Sequence, residues 1–86
     1  MAELSRFLGI IISLMFFDNI KHHKPHVHVK YGEYEASIAV DGEILAGRLP
    51  SRQFKIVVGW LATHQDEVYE AWNKAMHGKP FDKIKN

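Results

Sequence analysis

The sequence predicts an α+β domain: a small, mostly antiparallel sheet of about four strands with one long C-terminal helix packed on one face. Three observations carry that expectation. Short apolar and alternating runs fill the first half of the chain, glycine-bearing turn signals punctuate them, and one apolar stripe of helical period occupies the second half. The 86 residues, 47% hydrophobic and free of low-complexity segments, suit a single domain spanning 1–86 with a thin core.

Residues 6–17 are nearly continuous in apolar character and read as a central strand covered on both faces, with Gly9 marking a bulge. The apolar part, residues 7–17, is too short for a membrane span, which needs roughly 20 apolar residues. Asp18, Asn19 and Ile20 follow where an export signal would carry small residues for cleavage, so no membrane association is expected. The polar residues 18–25 form a loop, and Pro25 biases Lys24 toward extended backbone.

A meander begins at His26. Tyr31-Gly32-Glu33-Tyr34 reads as a type II′ connection because Gly32 accepts positive φ. Tyr34, Ala36, Ile38 and Val40 then make an apolar face, with Glu35 and Ser37 on the other. Asp41-Gly42 is a dipeptide favoured by type I′ hairpins, and residues 43–49 are the returning strand.

Pro50 ends the sheet, and Ser51 is the expected N-cap of the helix. Phe54, Val57, Val58, Leu61, Val68, Trp72 and Ala75 or Met76 keep one helical phase until Gly78 and Pro80 stop it. Thr63-His64-Gln65-Asp66 has the form of an internal cap, but the unbroken phase favours one long helix. The lysine-rich tail, residues 81–86, is expected to fray.

Composition limits the function. The absence of cysteine excludes disulfides, thiolate metal ligands and cysteine nucleophiles, and fits a reducing cytoplasm. A net charge of +1 with intermixed signs supplies no broad field for nucleic acid. No nucleotide-binding loop or nucleophile elbow is present, and no organic cofactor is indicated.

Chemistry concentrates in His22-His23-Lys24-Pro25-His26-Val27-His28, which holds four of the six histidines. On an extended strand His26 and His28 project to the same side. His64 lies on the margin of the helical stripe, and packing of that stripe on the sheet would let it face the same strand.

These residues resemble a widespread family of small bacterial proteins known as a domain of unknown function. The resemblance rests on Leu4-Ser5-Arg6-Phe7-Leu8-Gly9, Pro25-His26-Val27-His28, Tyr31-Gly32-Glu33, Leu49-Pro50, and Trp60, His64 and Trp72 in that order. It covers nearly the whole chain. Lys24 and Val27 depart from the family's Pro-Pro-His-Phe-His pattern, and the loop before His22 is about two residues longer. Genes of this family often lie beside another small gene, which implies a two-gene module of the toxin and antitoxin kind and a partner encoded next door. No established activity comes with the resemblance.

Three readings of the histidines stay open, and the sequence does not decide whether the chain is an enzyme. In the first, His26 and His28 bind zinc with His22, His64, Glu33 or Glu35 as a third ligand. In the second, His26 and His28 act as acid and base on an RNA phosphodiester, with Arg6, Arg48 or Arg52 stabilising the phosphoryl oxygens. In the third, they are hydrogen-bonded structural residues shaping a protein-interaction surface. Trp60 and Trp72 read as core or subunit contacts, and Arg48, Arg52 and Lys55 as a solvated helix surface. Edge strands in so small a sheet favour a homodimer or a complex with the neighbouring gene's product. The function expected is that of a cytoplasmic component of such a module, acting through a surface centred on His26 and His28.

Overall fold

The computed structural model describes residues 2–14 and 24–85. The chain is α+β, with five strands where about four are expected and two helices where one is expected. The strands are β1 (Ala2–Phe7), β2 (Ile10–Leu14), β3 (His26–Tyr31), β4 (Tyr34–Ala39) and β5 (Ile44–Gly47); α1 (Ser51–Thr63) and α2 (Gln65–Met76) follow. All neighbouring strands pair antiparallel, in the sheet order β1-β2-β3-β4-β5.

The extra strand is β1, built mostly from the residues that precede the apolar run; residues 10–14 of the run form β2, and a turn between them makes a hairpin. Leu8 and Gly9 take φ of 50° and 77°. Two successive left-handed residues are the signature of a type I′ turn, so Gly9 serves a reversal and not a bulge. The Gly32 turn is as expected: Gly32 has φ 57° and Glu33 is not among the positive-φ residues. The Asp41-Gly42 turn differs. Gly42 N–H donates to Ala39 O (2.8 Å), Ala39 N–H donates to Glu43 O (2.7 Å), and Gly42 alone has positive φ, at 100°. This is a type I turn closed by a glycine bulge; Asp41 keeps negative φ while its carboxylate accepts the Glu43 N–H (3.1 Å).

The helical stripe is broken at His64, whose φ of −110° and ψ of 24° leave the helical region. Acidic Asp66 and Glu67 in the first turn of α2 suit a helix start, and the Thr63 hydroxyl donates to Gly59 O (3.0 Å), a contact that bends helices. Phase survives because Val57 and Leu61 before the break, and Val68 and Trp72 after it, are all buried. Pro50, not Ser51, occupies the N-cap position of α1, without a side-chain cap.

Ile10, Ile12, Leu14, Val27, Val29, Ala36 and Ile38 lie on one sheet face and are buried. Full burial of such an aliphatic side chain contributes about 1.5–3 kcal/mol. Phe7 joins this face and stacks on Trp60 of α1 (6.1 Å between centroids). The tail does not fray: Ile84 is buried and its N–H donates to Leu4 O (2.8 Å) at the outer edge of β1. Among the described residues no helix is long and apolar enough to cross a membrane.

Candidate functional site on the second sheet face

The face opposite Phe7 and Trp60 carries two cross-strand rows. Register aligns Glu3, Ser13, His28, Ser37 and Ala46 across all five strands. The adjacent row is Arg6, Ile11, Lys30 and Glu35. Directly opposed residues on one face have Cβ atoms about 4.5–5.5 Å apart, so each row is a line of neighbouring side chains. Together the rows line a depression of about 280 Å³ that contains Glu3, Arg6, Ile11, Ser13, His28, Lys30 and Glu35.

His28 stands at its centre with a side chain 17% exposed, and its Nε2 lies 3.8 Å from Glu35 Oε1. The pair is diagonal across β3 and β4. Arg6 is held from below by Glu3, which accepts Nη2–H (2.7 Å) and Nε–H (3.1 Å) of the guanidinium. Arg6 first, and then Lys83 at 3.5 Å, hold the Glu3 carboxyl below its usual range, although partial desolvation opposes them. Ser13 and Ser37 flank His28 on the neighbouring strands and are buried.

His26 shares strand parity with His28 but not its environment. Its ring is buried and tilts against Trp72 of α2 (5.0 Å). Nδ1–H donates to Lys24 O (2.8 Å), which fixes the protonated nitrogen. Lys24 is in turn anchored to Asp41 (2.6 Å), tying the entrance of β3 to the β4–β5 turn. His64 packs on Trp60 (5.0 Å), and its Nδ1–H donates to Glu67 Oε1 (3.1 Å). It therefore belongs to the helix break on the Phe7 side and does not join His28. His22 and His23 lie outside the described residues. Among the described residues no group of three or more His, Cys, Asp or Glu is arranged to hold a metal ion.

Of the arginines, Arg6 reaches the depression. Arg48 lies over the Tyr34 ring (5.5 Å) and donates its N–H to Glu35 O (3.0 Å), while Arg52 is exposed on the first turn of α1. Sequence reasoning did not single out Lys30, Ser13 or Glu3. Lys30 and the His28–Glu35 diagonal were within reach, because a two-residue turn at Gly32-Glu33 pairs Tyr31 with Tyr34 and hence Lys30 with Glu35 and His28 with Ser37.

Fold and site define a small α+β domain that presents a polar, mixed-charge sheet face around His28. Residues 9–73 match the family Domain of unknown function (DUF4160), and the chain belongs to that family. His28, Lys30 and Glu35 fall inside the matched segment; Glu3 and Arg6 precede it. No curated protein and no solved structure matches the chain.

Proposed function

We propose that this chain is the RNA-directed component of a two-gene bacterial module of the toxin and antitoxin kind, working in the cytoplasm beside the neighbouring gene's product. The observation that carries this reading is the company of the His28–Glu35 pair: at 3.8 Å, it shares one depression with the cations Arg6 and Lys30. Cleavage of an RNA phosphodiester needs a base, an acid and positive charge at the phosphoryl oxygens, and no protein nucleophile.

In this mechanism the Glu35 carboxylate takes the proton of the ribose 2′-hydroxyl, whose oxygen attacks phosphorus. The bond from phosphorus to the 5′-oxygen breaks, and protonated His28 gives its proton to that leaving oxygen. The products are a 2′,3′-cyclic phosphate and a 5′-hydroxyl. Arg6 and Lys30 balance charge on the non-bridging oxygens. His26 does not take part; its hydrogen bond and ring contact support it as a structural residue.

The test is incubation of an oligoribonucleotide with wild type, His28→Ala, Glu35→Gln and His26→Ala, with and without a chelator. Cyclic-phosphate products are expected from wild type in both conditions. Loss of His28 or Glu35 should slow cleavage by about 10²–10⁴, the usual contribution of a general acid or base. His26→Ala should lower thermal stability while retaining cleavage of the folded fraction. Wild type that neither cleaves RNA nor arrests growth on induction would refute the proposal, and cleavage abolished by chelation would transfer His28 and Glu35 to a metal-binding role.

A further inference from the structure

We infer that the open face also holds a base subsite, so that the substrate class is single-stranded RNA read across β4 and β5. The inference rests on the RNA reading of the His28–Glu35 pair. Beside the charged depression lies a second, shallower one of about 220 Å³, lined by Ala36, Ser37, Ala46 and Gly47, and again by His28 and Glu35. The two depressions meet at the proposed reacting pair.

Their chemistry is segregated. The two cations, Arg6 and Lys30, line only the first depression, whereas outside the shared pair the second is bounded by the Ala46 methyl, the Ser37 hydroxyl and the backbone of Ala36 and Gly47. A phosphodiester bound by the cations must extend a neighbouring nucleoside along the face. A group suited to the second depression is flat and uncharged, with a hydrogen-bonding edge for Ser37; a nucleobase meets each condition. Small residues are what keep this ground open. Ala46 is exposed at the middle of the edge strand β5, directly across from Ser37, and any larger side chain there would stand over the groove. A base lying against the sheet has left its helical stack, which selects unpaired RNA over duplex.

The experiment compares two short oligoribonucleotides, one intact and one with an abasic ribose beside the scissile phosphate, cleaved by wild type, Ala46→Leu and Ala46→Ser. One neutral hydrogen bond to a base edge is worth a factor of about 2–13, so wild type should prefer the intact oligomer several-fold in kcat/KM. Ala46→Leu should collapse that ratio toward one, chiefly through KM, and Ala46→Ser should restore it. Circular dichroism checks that each variant is folded, and anisotropy with a 2′-deoxy, uncleavable oligomer gives an independent binding readout. Equal cleavage of both oligomers by wild type, or an unaltered ratio in folded Ala46→Leu, overturns the base subsite alone. Failure of wild type to cleave either oligomer overturns the catalytic reading and the subsite together.

Discussion

Replacing Gly47 with alanine should be among the most damaging single-methyl changes in this chain. Gly47 has φ 73°, and a Cβ built there falls on Glu35 O, with Ala36 Cα at 3.0 Å and the Glu35 carbonyl carbon at 3.1 Å. These are backbone atoms of β4 and cannot swing aside as a flexible side chain would. Left-handed backbone costs an L-residue about 1–2 kcal/mol, and forcing an extra group into packed structure adds about 1–3 kcal/mol. The sum, about 2–5 kcal/mol, is a large part of the roughly 4–13 kcal/mol available to a domain of this length. Gly32→Ala is the matched control, because Gly32 has φ 57° but a Cβ added to it would meet nothing within 4 Å; it should lose only the conformational part. Thermal unfolding followed by circular dichroism should then give Gly47→Ala a Tm lower by at least about 8 °C, at about 4–8 °C per kcal/mol. A drop no greater than that of Gly32→Ala would refute the close approach of β5 to β4. The same change would disturb the candidate site, since the Glu35 carbonyl also accepts the Arg48 N–H while its carboxylate lies 3.8 Å from His28.

Two further outcomes follow from local geometry. Leu8 is 74% exposed with φ 50°, so Leu8→Asn, which makes the preferred type I′ dipeptide with Gly9, should stabilise the chain by about 0.5–1 kcal/mol in a denaturant titration; a loss of stability would contradict the hairpin. Lys24 hydrogen-bonds Asp41 and, with the Glu43 N–H, holds its carboxyl below the usual value of 3.8. A depressed folded-state value means stability that is present above the ordinary carboxylate range and lost as pH falls through the depressed value. Asp41→Asn should therefore lower Tm at neutral pH, with the gap to wild type closing as pH drops below about 3.8; a gap that stays constant on acidification would exclude the ion pair as its cause.

Much of the fold was legible because local chemistry and tertiary structure agree. The Gly32 turn, the apolar faces of β3 and β4 and the phase of Val57, Leu61, Val68 and Trp72 follow directly from residue type and spacing. The break at His64 was hidden by that same phase, since a change of direction between two helices leaves their buried positions in step when both pack on one core. The divergence of His26 and His28 was hidden for a different reason. Strand parity places the two side chains on one side, but His26 is the first residue of β3, where Trp72 of α2 and the carbonyl of Lys24 capture its ring. Parity predicts direction, and it does not predict which end of a strand another element covers.

The hardest part of the site to read was Arg6, and its position depends on one irregularity. Glu3 pairs with Ser13, whereas Ser5 pairs with Ile12, so Leu4 is an extra residue in β1. In uninterrupted alternation Glu3, Ser5 and Phe7 would share the polar face, and Arg6 would point toward Trp60 and the core. The bulge reverses parity after Leu4: Arg6 falls opposite Ile11 and enters the depression, while Phe7 falls opposite Ile10 and stacks on Trp60. Leu4 itself is fully buried, and its carbonyl accepts the Ile84 N–H. Thus the tail secures the bulge, and the bulge gives β1 both an aromatic for the core and a cation for the site. Glu3 spans the two arrangements, bonded to Arg6 in the depression and 3.5 Å from Lys83 on the tail. A face otherwise built on the regular register of β2, β3 and β4 therefore obtains its guanidinium from a break in that regularity.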